Sequence, residues 1–162
     1  MSTEYALLGA GCFWGVEHIL KKIEGIVSTE VGYAGGQVEN PTYPMVCTGT
    51  TEHAEVVMIE FNPMMISYES LLDVFFRLHD PTTLNRQHND IGTQYRSIIF
   101  YFSEDQKIKA NAMIEKINSS KVFNNPIITQ VVPESEFYSA EDYHQDYLVK
   151  NPDGYMCHVL RK

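Results

Sequence analysis

Residues 9–18 read GAGCFWGVEH, a thiol between glycines and directly before an aromatic pair. Cys12 stands at the start of a predicted helix, where unpaired backbone N–H groups and the macrodipole favour a thiolate. The flanking glycines let the backbone approach a bound molecule, and a strand–turn–helix corner is a good place to expose a nucleophile. Phe13 and Trp14, the sole tryptophan, fall in the first turn beside that thiol. They suit a substrate with a small apolar group such as a methyl next to sulfur. The bland alternatives are a cysteine packed under the helix and two core aromatics. Two further cysteines complete the set: Cys47 in TYPMVC and Cys157 in the tail NPDGYMCHVLRK. An odd count with no CxxC predicts neither a disulfide framework nor a zinc knuckle.

The elements that must position these residues are legible in outline. Glu4 to Leu8 reads as a buried strand. Val16, Ile19, Leu20 and Ile23 recur at helical spacing, with Glu17, His18, Lys21, Lys22 and Glu24 opposite. Ile26 to Tyr33 and Ala54 to Phe61 read as strands. Ser67 is positioned to cap a helix to about His79, and Ser103 with Gln106 fits a capping box for a helix to about Ser120. Arg96 to Phe102 and Ile127 to Val132 read as strands, and Ser139 as the cap of a last helix to about Lys150. Two long polar loops, 35–51 and 80–95, are candidates for function. The first six elements run β-α-β-β-α-β. This predicts an α+β fold, a two-layer α/β sandwich with a ferredoxin-like core, long functional loops and a mobile C-terminal tail over 150–162. Residues 1–162 are expected to form a single catalytic domain.

Lys and Arg number 12 against 21 Asp and Glu, a net charge of −9, which argues against nucleic acid and anionic membranes as partners. No apolar run is long enough to span a membrane and the N-terminus has no signal-peptide pattern, so a cytoplasmic, reducing setting is expected.

GCFWGVE, VGYAGG, NPTYPMVCTGTTEHAEVV, HDPTTLNRQHNDIGTQYRS and AEDYHQDYL together resemble the peptide-methionine (S)-S-oxide reductases, the A-type methionine sulfoxide reductases, in family order over nearly the whole chain. The resemblance implies that Cys12 attacks the sulfoxide sulfur and that Phe13 and Trp14 cradle the methyl group. It implies that Glu55 donates a proton to the oxygen and that Tyr43 and Tyr95 hydrogen-bond that oxygen, with Asp90 in the same polar network. Attack would leave methionine and a sulfenic acid on Cys12. Cys157 is the expected resolving thiol, Cys47 the alternative, and thioredoxin the reductant. No metal or organic cofactor is implied. The substrates would be free and protein-bound methionine S-sulfoxide, and the enzyme a monomer. The tail reads GYMC where many relatives have GYC, and Glu52 and His88 stand where glycine is frequent.

The chemistry independently asks for an acid, because a sulfoxide oxygen must be protonated to leave as water. Without the resemblance, strand alternation favours a Glu55 that simply faces solvent. His53, His79, His144 and Gln145 are expected to be structural or rim residues. Two other functions compete: a thiol peroxidase, and a redox-sensing or metal-binding module built on the three cysteines.

Overall fold

The residues described by the computed structural model are 2–162. Strand β1 (Glu4–Ala10) starts with two exposed residues and ends with five buried ones, because it runs from the rim into the middle of a six-stranded sheet. With β2 (Ile26–Ala34), β3 (Ala54–Phe61), β6 (Ser97–Tyr101), β7 (Gln130–Pro133) and β8 (Tyr138–Ser139), the order across the sheet is β7-β6-β1-β3-β2-β8. Every pairing is antiparallel except β6 with β7. A two-stranded ribbon, β4 (Arg86–Gln87) and β5 (Asp90–Ile91), stands apart.

Helices α1 (Phe13–Leu20), α3 (Tyr68–Leu78) and α4 (Glu104–Ser120) cover one face of the sheet. Alternation assigns Ala6, Leu8, Val57, Ile59 and Ile99 to that face, where Leu71, Leu72 and Phe75 of α3 are wholly buried. Each such side chain contributes roughly 1.5–3 kcal/mol by leaving water. Leu7, Val56, Ile98 and Phe100 point the other way into a smaller cluster closed by Phe102 and Phe137. The result is an α+β protein with two layers, as the element order predicts.

The caps read from sequence are present. Ser67 Oγ accepts from Ser70 N at 3.0 Å and Ser103 Oγ from Gln106 N at 3.2 Å. Gln106 reaches back to Phe102 N, at 3.0 Å, rather than to Ser103. The long loops carry structure that sequence reading leaves out. Thr42 caps the short α2 (Tyr43–Cys47), and residues 80–95 hold the β4–β5 ribbon and a 3-10 turn at Thr93–Tyr95. His53 staples the first loop, accepting from Gly36 N through Nδ1 at 3.0 Å and meeting Val38 O through Nε2 at 2.7 Å.

Two expectations are corrected. Glu17, assigned to the solvent face of α1, is buried, because its carboxylate accepts from Thr29 Oγ1 (2.8 Å) and from Asp146 N (2.9 Å). Ser139 caps no helix. It ends β8, and the chain continues as a 3-10 turn (Asp142–His144), a left-handed residue at Asp146 (φ +53°) and the short α5 (Tyr147–Lys150). Long-range bonds break the helix: Gln145 bridges both backbone groups of Val31 at 2.9 Å, and Lys21 pairs with Asp146.

The tail runs as a strap against the ends of β1 and α3. His158 is buried with Nε2 2.7 Å from Ala10 O. Arg161 donates to His79 O at 2.8 Å and to Phe76 O at the C-terminal end of α3, where free carbonyls attract a cation. Among the described residues no helix is long and apolar enough to cross a membrane.

Candidate active site

β1 delivers Cys12 to the corner before α1. Gly11 turns that corner with φ +96°, a conformation that a side chain resists. β3 lies beside β1, and Glu55 near its start faces the helical layer, in register with Tyr33. Glu55 is 1% exposed, so the solvent-facing alternative fails. Its Oε1 accepts from Phe13 N at 3.1 Å, the first N–H of α1, and its Oε2 has no partner. Burial, with Asp90 adding to it, pushes this carboxyl up to about 8 against the pull of that single hydrogen bond. At a pKa of about 8 Glu55 is largely protonated at neutral pH, with one carboxyl oxygen that no protein group engages.

Cys12 departs from expectation. A helix start alone predicts a thiolate, but the residue is 8% exposed and burial raises its pKa well above the ordinary thiol range. The Glu55 charge raises it further, while the hydrogen bond from the Trp14 backbone acts the other way. Protonation of Glu55 relieves the repulsion between the two and leaves burial as the barrier to ionisation.

Phe13 is both core and wall. It is 1% exposed, with its ring 5.7 Å from Tyr33 and 5.2 Å from His144. Trp14 is half-buried and stacks on Tyr147 at 3.8 Å with planes 9° apart. Its indole N–H donates to His144 Nδ1 at 2.9 Å. Tyr43 closes the aromatic group, 4.2 Å from the His144 ring, and its hydroxyl bonds Cys47. Burial and the Glu55 charge keep both Tyr43 and Tyr95 firmly protonated, hence hydrogen-bond donors.

Asp90 faces the tail. Tyr155 donates to its Oδ1 at 3.2 Å and Cys157 to its Oδ2 at 3.5 Å. The charges of Asp90 and Cys157 both reach Cys12, so the residues singled out from sequence converge on one corner of the sheet. Cys47 is exposed at the end of α2, and all three cysteines are unbridged. A recess of about 430 Å³ opens beside Cys157, lined in part by His88, Tyr155, Met156 and Arg161. No three His, Cys, Asp or Glu side chains among the described residues are grouped to hold a metal.

Glu52 and His88 take φ of +64° and +53°. Glycine adopts this conformation freely, and another residue costs about 1 kcal/mol. Sequence reading missed Tyr155, His144 as the partner of Trp14, and His158. Their only signal is adjacency to residues already chosen.

Gly15 explains its own place in the motif. A Cβ there would overlap His158 Nδ1 and stand 3.0 Å from Met156 Sδ. Gly15→Ala should therefore strengthen α1 locally by up to about 1 kcal/mol yet lift the tail. Limited proteolysis should show residues 151–162 cut at least about tenfold faster with the rest of the chain intact, and unchanged cleavage would mean that the tail accommodates the methyl.

The fold and the corner define a thiol oxidoreductase site: a buried cysteine, a protonated carboxyl, two phenols and a second thiol. The family model described as Peptide methionine sulfoxide reductase matches residues 4–162. The peptide methionine sulfoxide reductase MsrA of Methanosarcina acetivorans is 53% identical over 98% of this chain and 83% of its own length. Among solved structures, Mxr1 from Saccharomyces cerevisiae in reduced form superposes with a TM-score of 0.93 at 42% identity, over 99% of this chain and 93% of that one. The same yeast protein in complex with Trx2 gives 0.67 at 29% identity, over 99% and 91%. The chain belongs to the peptide methionine sulfoxide reductase family, and its chemistry is the thiol-dependent reduction of methionine sulfoxide.

Proposed function

We propose that this chain reduces methionine S-sulfoxide, free and in proteins, with Cys12 as nucleophile, Glu55 as acid and Cys157 as resolving thiol. The observation that carries this reading is the Glu55 carboxyl, wholly buried, pushed up to about 8 and tied through one oxygen to the first turn behind Cys12. A proton held there at neutral pH is what a departing sulfoxide oxygen needs.

In the proposed sequence the sulfoxide oxygen meets Glu55 Oε2 and the hydroxyls of Tyr43 and Tyr95, with its methyl against Phe13 and Trp14. Protonation of the oxygen by Glu55 makes the substrate sulfur electrophilic, and Cys12 Sγ, giving up its proton, bonds to that sulfur. The S–O bond breaks and the oxygen leaves as water. Water then attacks Cys12 Sγ, the S–S bond breaks with its electron pair going to methionine, and Cys12 is left as a sulfenic acid while Glu55 regains a proton. Cys157 then displaces that oxygen as water and forms the Cys12–Cys157 disulfide. Support for thioredoxin as reductant comes from the yeast relative solved with Trx2, and the recess beside Cys157 offers an approach to the disulfide. We propose that residues 1–162 act as one catalytic unit, as a monomer in a reducing compartment, with no resident cofactor. All the proposed groups come from a single chain.

The deciding experiment is a thioredoxin-coupled assay on the two separated sulfoxide epimers. Turnover of the S form alone is expected. Turnover of hydrogen peroxide with neither epimer reduced would make the protein a peroxidase. Cys157→Ser should still release about one equivalent of methionine per chain and then stop, leaving sulfenic acid on Cys12. Unchanged thioredoxin-driven cycling in that variant would transfer the resolving role to Cys47.

A further inference from the structure

His158 is 3% exposed although it lies only four residues before Lys162. One ring nitrogen, Nε2, lies 2.7 Å from the carbonyl oxygen of Ala10, two residues before Cys12. A carbonyl only accepts, so Nε2 carries the proton and the other nitrogen presents a lone pair. That nitrogen, Nδ1, lies 3.4 Å from Cys157 Sγ. The imidazole thus spans from the backbone of the nucleophile corner to the second thiol. It fills the space that Gly15 leaves open, and Gly11 also lies against it.

We propose that His158 is the general base of the resolving step, taking the proton of Cys157 as that thiol attacks the oxidised Cys12. The proposal rests on the reading above, in which Cys157 resolves. The step balances. Nδ1 accepts the thiol proton, Cys157 sulfur forms a bond to Cys12 sulfur, and the S–O bond of the sulfenic acid breaks. The leaving hydroxide takes up that proton as water, so that one thiol and one sulfenic acid become a disulfide and water.

Cys157 needs such help. Burial, with the Asp90 charge, pushes its thiol up to about 11, and the Tyr155 hydrogen bond only partly offsets this. Unaided, roughly one molecule in 10⁴ would hold the thiolate near pH 7. Burial also lowers the pKa of His158 and keeps the ring in the neutral, accepting form. The ionisable groups facing it are Asp90 and His88 from the ribbon, Cys157 beside it, and His79 at the end of α3. Asp90 Oδ2 is the other acceptor near the thiol, at 3.5 Å. A carboxylate is ordinarily the weaker base by about 2–3 pH units.

The test is a single turnover on a methionine sulfoxide peptide without thioredoxin, following methionine release, sulfenic acid by chemical trapping, and disulfide by thiol count. In the unmodified protein, disulfide formation should stay nearly flat from about pH 7 to about pH 9. His158→Gln keeps a donor for Ala10 O but supplies no base. It should release methionine within a few-fold of normal and accumulate sulfenic acid on Cys12. Its resolving step should be slower by about 10²–10⁴-fold at pH 7, recovering about tenfold per pH unit as the thiol ionises by itself.

Three results overturn the proposal: resolution by His158→Gln at the normal rate, which would move the proton to Asp90; a deficit equal at every pH, which is a displaced tail; or a rate in the unmodified protein that itself climbs about tenfold per pH unit. The last decides even if the variant does not fold. Absence of methionine release from the unmodified protein would instead sink the reading of the site as a whole.

Discussion

Cys12→Ser is expected to abolish methionine release, by at least about 10⁴-fold in a single turnover, while the protein remains folded. The swap changes one atom in a side chain 8% exposed, and burying a hydroxyl there in place of the thiol costs about 1–3 kcal/mol, too little to unfold the protein. The loss is therefore chemical. A hydroxyl in the same burial is far harder to ionise than a thiol, and its oxygen cannot end as a sulfenic acid. A cooperative thermal melt, together with no methionine, is the expected pair of results. Methionine release above a few per cent of normal would remove Cys12 as the nucleophile.

Glu55→Gln is expected to slow the reductive step by about 10²–10⁴-fold, the usual worth of a positioned acid, and to change stability in the opposite sense. In the folded protein the carboxyl is pushed from its ordinary 4.5 up to about 8. Between those values the folded state holds a proton that the unfolded chain has released. Stability therefore falls as pH rises through that window, by up to a few kcal/mol, and is fully present below it. Glutamine carries no titratable proton, and its amide oxygen still accepts from Phe13 N. The variant should thus be no more stable than the parent near pH 4.5 and more stable by a few kcal/mol above pH 8, as denaturant unfolding at the two pH values would show. In the parent the reductive rate should decline above about pH 8 as the donor loses its proton. Near-normal single-turnover rates in Glu55→Gln would refute the acid role. Parallel stability–pH curves would mean that another group titrates.

These two effects depend on different kinds of information in the sequence. Cys12 and the elements that carry the site were legible because their signals are local, whereas the role of Glu55 came only with the motif resemblance. The alternation of β3, the caps at Ser67 and Ser103 and the glycine corner at Gly11 each declare themselves within a few residues. What stayed hidden depends on partners far along the chain. Glu17 looks solvent-facing by helical period, yet Thr29 and Asp146 bury it. Residues 139–150 have helix-forming side chains, yet Gln145 binds the edge of β2 and Asp146 turns left-handed. For Cys12, the helix start that favours a thiolate is local information, while the burial and the neighbouring Glu55 that push its pKa up are not. Gly15 is the instructive case: the motif shows a small residue, and only the docked tail shows what it makes room for.

The two halves of the proposed cycle are built into parts of the molecule with different resistance to local opening. Glu55 belongs to β3, bonded on both sides within the sheet, so amide exchange there requires global unfolding. The strap carrying Cys157 is held chiefly by the His158 and Arg161 contacts with the ends of β1 and α3, and it should open at a smaller free energy. On warming, the proposed recycling arm should then be lost before the reducing corner. In that interval each chain should consume one oxidised methionine and retain an oxygen on Cys12, so that heat would convert a catalyst into a stoichiometric scavenger before it denatures the fold.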